Sequence, residues 1–511
     1  MARISALRPI ESYAFGVYHQ IVHNLAVYGI FEQTIHQGYD DAWTWSGHRA
    51  PALFSTALLY RLDGGVFGLA RAQIIQVLLG VIPAALLGRQ SLRGNPWGLM
   101  LGAALYLGTP AVLAMALQDY QDLVLAIPFL VALAWSLRAR AWWWVIPGAL
   151  VGLIPREETV LLVVAMAIIV VPWNQETGWR DRIRWRRWLL NIALCCGIAG
   201  AYAVGIESLF PATETDYRMP LANAVGGMGG GQNVIFLDGW PFIDRFYRDL
   251  LVPVGLLALL APGPLIPAAG LVLFHMAIPN GHGIDRSWGG HCHHLAPAIP
   301  FLVVATIDGA GRLVRLAGRV PGGIWPRRLL VGAVAIGLAG LLGHSTRDFG
   351  QRQNVRLTLL PTDPTWVHPA WRLVTQIPED AVPVVSKHLS ILVSNRRTSY
   401  TIDGSLDSKA PMLGLGAGNF GIVDTRQGNA EARMMAMPNA VLLDEKSPFR
   451  LYSWTGGSPE PGWATQRGQR PDRVRPWLGP HNRQEDIPGV APFESGRPPE
   501  GSGTPPSITL P

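Results

Sequence analysis

Ten apolar segments separated by short loops occupy most of the first two thirds of the chain. They cover residues 68–88, 97–117, 123–137, 142–154, 159–171, 188–206, 250–260, 265–278, 295–307 and 329–342. A helix needs about 20 apolar residues to cross a bilayer. Several segments are shorter, but the shorter ones come largely in adjacent pairs, and each pair returns the chain to its starting side. The pattern predicts an α-helical polytopic membrane protein with about ten membrane segments.

Arginine is concentrated in four of the loops between these segments. The arginines concerned are Arg89, Arg93, Arg138, Arg140, Arg180, Arg182, Arg184, Arg186, Arg187, Arg312, Arg315, Arg319, Arg327 and Arg328. Counting the segments places all four loops on one side of the membrane, and basic residues of short loops are retained in the cytoplasm. The extracytoplasmic side then receives residues 1–49, the turns 118–122 and 155–158, the loops 207–249 and 280–294, and everything after residue 344.

The composition agrees with a membrane protein of the cell envelope, with 49% apolar and 15% charged residues. The net charge of +7 needs no nucleic acid to explain it, because the topology-setting arginines account for the excess of positive charge. Two of the three cysteines lie inside an apolar segment, which leaves no disulfide framework. Nucleic-acid binding is therefore not expected.

The last third of the chain has the pattern of a soluble α/β domain. A helix is predicted over residues 366–376, a strand over 382–386, a short helix over 388–393, a strand over 398–402 and a buried strand over 440–444. From residue 455 onward Gly, Pro, Ser and Arg dominate, which is typical of disorder. We therefore expect an outer loop with an interfacial helix (1–67), a transmembrane domain (68–343), a small extracytoplasmic α/β domain (344–454) and a disordered tail (455–511).

The first outer loop carries the densest polar chemistry, with Asp40, Asp41, His48 and Arg49. It continues into the amphipathic run 52–62, which is too short to span and predicts an interfacial helix. Ionisable groups crowd functional clefts, so either aspartate is a candidate for a catalytic or ligand-binding role. The alternative, an ordinary solvated acidic loop, remains open.

Three other outer loops place charges directly against apolar segments, where charge is expensive and tends to be functional. The residues are Asp119, Asp122, Arg156, Glu157, Glu158 and Arg286. A purely structural alternative is that Arg156 pairs with one of its neighbouring glutamates. The remaining carboxylate would then be available for chemistry.

Histidines precede the segment that starts at residue 295. Imidazoles of His291, His293 and His294 are candidate ligands of a divalent metal ion. Ligands one or two residues apart on a single strand rarely converge on one ion, so another loop would have to contribute. An interfacial or phosphate-contacting role and a plain solvated loop are the alternatives.

Four short motifs in this order resemble a bacterial polytopic membrane protein family, domain of unknown function 2079. They are FGVYHQ at 15–20, GHRAP at 47–51, PREE at 155–158 and HLAPAIPF at 294–301. That family is similar in layout to the glycosyltransferase-C superfamily. The resemblance implies a lipid-phosphate-linked sugar donor, a catalytic acid in the first outer loop and a soluble domain outside the membrane.

Two departures from the family pattern concern the amino-terminal part. Ala14 and His19 stand where acids of the family are expected, so Asp40 or Asp41 would have to take their place. The family also begins with a spanning helix before the first outer loop, and the sequence shows no apolar segment there. The catalytic acid of the first outer loop would then be Asp40 or Asp41.

The predicted reaction is transfer of a sugar from a polyprenyl-phosphate donor to an acceptor at the extracytoplasmic face. Asp40 or Asp41 would act as base, with Glu157 or Glu158 as supporting acid or metal ligand. The predicted substrate contacts are His48, Arg49, Arg156, Arg286, Asp119 and Asp122. The alternatives are a lipid or small-molecule transporter or flippase, which the proline-interrupted segments would suit, and a non-catalytic membrane scaffold.

Overall fold

The computed structural model describes two compact units. The described residues are 12–29, 35, 50–62, 64–117, 120–139, 141–170, 182–209, 257–277, 293–317, 367–378, 383–396, 399–402, 420–426, 428–435 and 439–454, with single residues 328, 332, 340, 343, 381 and 437. The first unit contains the described residues 50–62 and 67–343. The second contains those up to residue 35, residues 64–66 and those from 367 onward. The predicted disordered tail lies outside the described residues.

The first unit is helical. Its α-helices are α2 (Ala52–Tyr60), α3 (Gly65–Leu79), α4 (Val81–Ser91), α5 (Trp97–Leu107), α6 (Pro110–Leu117), α7 (Ala126–Arg138), α8 (Val145–Leu153), α9 (Thr159–Ile169), α10 (Arg182–Leu209), α11 (Leu265–Ala277) and α12 (Ile299–Ala317). Short 3-10 helices cover Asp122–Leu125, Trp142–Trp144, Leu257–Leu260 and His293–Ala298. Helices thus form where the sequence is apolar, and the predicted helical membrane fold is confirmed.

Fewer helices are long enough to span a bilayer than the apolar pattern predicts. Within the described residues three qualify by length and composition, Gly68–Ser91, Trp185–Ile206 and Ala296–Ala317. A fourth is obtained if the bent pair α5 and α6 counts as one span. The predicted number of about ten membrane segments is therefore not confirmed.

The bend between α5 and α6 measures 56° and has a local cause. Pro110 has no backbone N–H to donate to the preceding turn, so the helical ladder is interrupted there. The Tyr106 carbonyl oxygen, which lies four residues before Pro110, accepts from the Thr109 N–H at 3.3 Å, and the Thr109 hydroxyl donates to the Leu105 carbonyl oxygen at 2.6 Å. The apolar run 97–117 therefore folds as two helices rather than one.

Helices α4 and α5 approach each other through small residues. A side chain at Gly88 would collide with the carbonyl oxygen of Gly98, and one at Gly102 with that of Ala84. Small residues four apart on both helices let the backbones come this close, as in the packing of membrane helices. The contact fixes α4 and α5 as an antiparallel hairpin.

The arginine-rich stretches meet at one end of the bundle. Arg138, at the end of α7, donates from both terminal nitrogens to the Asp308 carboxylate of α12, at 2.5 Å each. The Ser91 hydroxyl donates to the same carboxylate at 2.9 Å, and Arg315 donates to the Ser91 carbonyl oxygen at 2.9 Å. Arg187 of α10 donates to the Ala139 carbonyl oxygen. Elements from all four arginine-rich stretches thus share one end, as the count of segments predicts.

Helix α2 confirms the short helix predicted after the first outer loop. Its N-terminus is tied to the 154–158 turn, because the Ala52 N–H donates to the Ile154 carbonyl oxygen at 2.9 Å. Its outward side is apolar: Phe54, Leu58 and Leu62 are 44%, 66% and 81% exposed. Since apolar side chains point outward, this side of α2 is suited to lipid.

The second unit contains a five-stranded sheet, with β1 (Pro383–Ser386), β2 (Tyr400–Ile402), β3 (Phe420–Asp424), β4 (Val441–Lys446) and β5 (Phe449–Ser453). The order is β2-β1-β3-β5-β4, in which β1 pairs in parallel with β2 and β3, and β5 pairs antiparallel with β3 and β4. Among the described residues after 366 it is accompanied by α13 (Val367–Val374) and α14 (Gly428–Met435), with a 3-10 helix at Lys387–Leu392. The predicted α/β unit is confirmed.

One strand prediction is wrong in its burial. Residues 440–444 were predicted to form a buried strand, whereas Val441, Leu442 and Leu443 are 54%, 45% and 49% exposed. The reason is the position of β4 at the edge of the sheet. Strands β3 and β5 and helix α14 were not predicted at all.

A helix that the sequence did not predict, α1 (Ser12–Tyr28), belongs to the second unit. His19 Nδ1 and the Ser394 hydroxyl are 2.8 Å apart, within hydrogen-bond distance. The Gln20 side-chain amide donates to the Ser399 hydroxyl at 3.1 Å and to the Arg396 carbonyl oxygen at 3.1 Å. Helix α1 is therefore part of the α/β fold, although hundreds of residues separate it from the strands.

His23 gives this attachment a predicted pH dependence. Burial lowers its pKa from 6.5 to about 4, and its ring lies 6.2 Å from that of His19 and 6.0 Å from that of Tyr28. In the unfolded chain His23 takes up a proton near pH 6.5, but in the folded chain only near pH 4. The stability is therefore complete above pH 6.5 and falls by up to about 3 kcal/mol as the pH drops to 4.

Hydrogen exchange of the peptides covering 12–28, measured on the full chain at pH 7 and pH 4.5, tests this dependence. We expect protection to decrease at the lower pH in the wild type and to change much less in His23→Phe, which cannot be protonated. Other groups titrate in the same range, so the difference between the two proteins is the measured quantity. An equal loss of protection in both would show that His23 is not responsible.

Candidate functional site

A cluster of buried polar side chains lies at the end of the first unit opposite the arginine-rich stretches. It joins α2, α3, the turn that precedes α7 and the turn that precedes α9. Its buried members are Thr56, Gln73, Gln76, Tyr120, Gln121, Asp122, Arg156 and Thr159. Buried polar groups need partners, and members of this cluster contact one another and the neighbouring backbone.

Glutamines on α3 anchor the cluster. The Gln76 side-chain amide donates to the Thr56 hydroxyl at 2.9 Å and accepts from the Ser55 hydroxyl at 2.8 Å. Gln73 donates to the Met115 carbonyl oxygen at 3.1 Å and accepts from the Gln121 N–H at 2.9 Å. These contacts hold the 120–122 turn against α2 and α3. We did not predict either glutamine, although polar residues three apart inside an apolar segment are a usable signal.

Tyr120 lies fully buried between this network and the charged residues. Its hydroxyl is 2.9 Å from the Thr56 hydroxyl. Burial, with a smaller contribution from the Asp122 charge, raises the pKa of Tyr120 above its usual range. The phenol is therefore neutral at physiological pH and serves as a fixed hydrogen-bonding group.

Arg156 is the central cation of the cluster and is only 4% exposed. One of its terminal nitrogens lies 3.8 Å from the Asp122 carboxylate and the other lies 3.5 Å from that of Glu158. The Thr159 hydroxyl donates to the Arg156 carbonyl oxygen at 2.6 Å, which fixes the turn before α9. The predicted pairing of Arg156 with a neighbouring glutamate is observed, and Asp122 is a second partner.

The two acids differ in accessibility. The Asp122 side chain is 1% exposed, whereas that of Glu158 is 45% exposed. A buried arginine that pairs with one buried and one exposed carboxylate can keep the buried carboxylate and exchange the exposed one for another anion. This geometry suits an anionic group that arrives from the membrane surface.

The other predicted site residues are not brought into this cluster by the described part of the chain. Residues that lie outside the described ones are Asp40, Asp41, His48, Arg49, Asp119, Arg286 and His291. Glu157 is described and half-buried beside Arg156. For His293 and His294 the structure describes only the backbone, as the start of a 3-10 helix. Among described residues no group of three His, Cys, Asp or Glu side chains could hold a metal ion.

Comparison with known protein families identifies the family of this chain. Residues 10–412 match a family described as predicted membrane protein (DUF2079). The chain belongs to this family. No curated protein matches this DUF2079 chain significantly.

The fold of this DUF2079 chain is found among solved structures. ArnT from Cupriavidus metallidurans, in a crystal structure bound to undecaprenyl phosphate, is similar with a TM-score of 0.52 and 12% identity, over 88% of this chain and 96% of that chain. The apo form of ArnT gives a TM-score of 0.46 and 12% identity, over 86% of this chain and 93% of that chain. The similarity to the bound form shows that the two chains share a fold.

Proposed function

We propose that this protein is an integral membrane glycosyltransferase that transfers a sugar from a polyprenyl-phosphate donor to an acceptor at the extracytoplasmic face. The proposal is supported by the family membership and by a fold similar to that of ArnT, whose crystal structure contains undecaprenyl phosphate. The observation that carries it is the buried Arg156 with its exposed partner Glu158. An arginine held in this way offers a site for the phosphate of the donor.

Arg156 acts as the phosphate contact in this proposal. Asp122 remains the buried partner of the guanidinium, and the donor phosphate takes the place of the exposed Glu158 carboxylate. The pre-formed network of Thr56, Gln76 and Tyr120 keeps the turns in place, so little reorganisation accompanies binding. Arginine stabilises the negative charge that develops on the departing phosphate.

The reaction requires one base. A carboxylate of Asp40 or Asp41 removes the proton of the acceptor hydroxyl, whose oxygen attacks the anomeric carbon. The bond between the anomeric carbon and the phosphate oxygen breaks, and the polyprenyl phosphate leaves with the electron pair. His48, Arg49, Asp119 and Arg286 are proposed as additional substrate contacts.

A transfer assay in membranes tests this function. Membranes that contain the protein are incubated with a panel of radiolabelled polyprenyl-phosphate sugars, and loss of label from the organic phase is measured. We expect transfer with at least one donor and a decrease of at least about 100-fold in the double variant Asp40→Asn, Asp41→Asn, because the base is lost. Asp181→Asn, in an arginine-rich stretch, is the control and should keep full activity.

The alternatives give different results in the same assay. A flippase would move the donor between leaflets and leave the label in the lipid. Labelled lipid would then accumulate in the inner leaflet of sealed vesicles, where it is protected from reagents added outside. A scaffold would do neither. Unchanged transfer in the double aspartate variant would reject the proposed base.

A further inference from the structure

The order in which the chain adds strands to the sheet of the second unit reverses at β1. The chain passes from β1 to its neighbour β2 on one side and then returns across β1 to β3 on the other side, with all three strands parallel. In open α/β sheets, ligands bind outside the carboxyl ends of the strands at such a reversal. The carboxyl ends of β1 and β3 are therefore the part of this unit where a ligand is expected.

Two buried side chains join these ends. Ser386 closes β1 and Asp424 closes β3, and they are 0% and 2% exposed. The Ser386 hydroxyl accepts a hydrogen bond from the Asp424 N–H at 3.1 Å. The ends of the two strands are thus held in a fixed geometry.

Arg426 projects from this fixed base into solvent. The Asp424 carboxylate accepts from the Arg426 N–H at 3.0 Å, from its Nε at 2.9 Å and from its Nη2 at 2.6 Å. The Arg426 side chain is nevertheless 60% exposed, while that of Asp424 is 3% exposed. The Phe449 ring supports the guanidinium, whose central carbon lies 5.9 Å from the ring centroid.

The orientation leaves part of the guanidinium available. Asp424 engages Nε and Nη2, and among the described residues Nη1 of Arg426 makes no hydrogen bond. A guanidinium presents a planar fork of donors that matches the oxygens of a phosphate. Because the side chain is already ordered, binding an anion requires little further loss of conformational freedom.

We propose that the carboxyl ends of β1 and β3 form a binding site for a phosphate group, in which Arg426 contacts the anion and Asp424 is the positioning residue. The phosphate belongs either to a soluble sugar phosphate or to a lipid headgroup. The site lies wholly within the second unit and does not depend on the glycosyltransferase proposal.

Isothermal titration of the full chain in phosphatidylcholine nanodiscs with inorganic phosphate tests the site. We expect saturable binding that weakens by roughly tenfold or more in Arg426→Gln, because a charge-assisted hydrogen bond is lost. Arg426→Lys keeps the charge without the fork and should fall between the two. Arg372→Gln, which removes another exposed arginine of the same unit, should bind like the wild type.

Two further titrations identify the source of the phosphate. Competition by glucose 1-phosphate, dependent on Arg426, indicates a soluble sugar phosphate. Loss of the wild-type isotherm for inorganic phosphate in nanodiscs that contain phosphatidylglycerol indicates that a lipid headgroup occupies the site. If Arg426→Gln bound inorganic phosphate in these nanodiscs as the wild type does in phosphatidylcholine, the site would not involve Arg426. An isotherm that is flat in the wild type, or equal weakening in Arg426→Gln and Arg372→Gln, overturns the proposal.

Discussion

Replacement of Arg156 by Gln is expected to weaken the proposed binding of a polyprenyl phosphate, measured with undecaprenyl phosphate, by at least about 30-fold. In the proposed complex Arg156 and the lipid phosphate form a buried charge pair, and truncating one member of such a pair costs about 2 kcal/mol or more, where about 1.4 kcal/mol corresponds to a tenfold change in affinity. Arg156 is 4% exposed and is the central cation of the cluster formed by α2, α3 and the turns before α7 and α9. Native mass spectrometry of the purified protein with added lipid measures the bound fraction directly.

Glu158→Gln should change the same binding in the opposite direction. Its carboxylate lies 3.5 Å from Arg156 and is 45% exposed, so it competes with an incoming phosphate. Exposed ion pairs contribute up to about 1 kcal/mol, so removing the competitor should raise the affinity by at most about fivefold. Opposite effects of neighbouring substitutions are hard to obtain from a general loss of folding.

Control variants separate binding from stability. Arg89→Gln removes an exposed arginine at the other end of the bundle and should leave lipid binding unchanged. Arg156→Lys preserves the charge beside Asp122, so its melting temperature should stay closer to that of the wild type. If Glu158→Gln weakens binding as strongly as Arg156→Gln, then the proposed exchange of anions is incorrect.

Removal of Asp308 is expected to destabilise the first unit by about 3 kcal/mol, the lower end of the range for breaking a buried ion pair. The side chains of Arg138 and Asp308 are 14% and 17% exposed, and two hydrogen bonds of 2.5 Å join them. Asp308→Ala leaves the Arg138 charge without this carboxylate and also removes the acceptor of the Ser91 hydroxyl. Thermal denaturation in detergent, monitored as the fraction of protein that remains soluble, measures the change in stability.

A double-mutant cycle shows whether the effect belongs to the pair. Arg138→Ala combined with Asp308→Ala should be less destabilised than the sum of the two single variants, because the second substitution removes a charge that has already lost its partner. Strict additivity would mean that the two side chains do not interact in solution. Asp181→Asn, which removes another acidic residue near the arginine-rich sequence 180–187, provides a control with little expected effect.

The sequence predicted the helical membrane part of the fold through its apolar runs, and the arginine-rich stretches indicated correctly which ends meet. Local periodicity could not predict the break at Pro110, which divides one apolar run into two helices. It also missed α1, because polar residues such as His19 and Gln20 interrupt its buried apolar residues, and their partners, such as Ser394, come from the far end of the chain. Hydrophobic periodicity carries no information on such distant hydrogen bonds.

The site shows the same division between local and distant information. The charges at 122 and 156–158 were predicted from their position against apolar segments, and the pairing of Arg156 with a glutamate was considered. The contact between Arg156 and Asp122 joins two separate turns and requires the packing of the intervening helices. In the second unit, β3 and β5 are short and gain their burial from neighbouring strands rather than from a strong local pattern.

The position of α1 in the second unit affects how the protein is made. His19 leaves the ribosome 375 residues before Ser394 does. At a synthesis rate of about 5–20 residues per second, that interval lasts roughly 20–75 seconds. During this time the nascent helix has no native partner for its buried side chains, most of which are apolar, so we expect chaperones to engage it until the carboxy-terminal strands emerge.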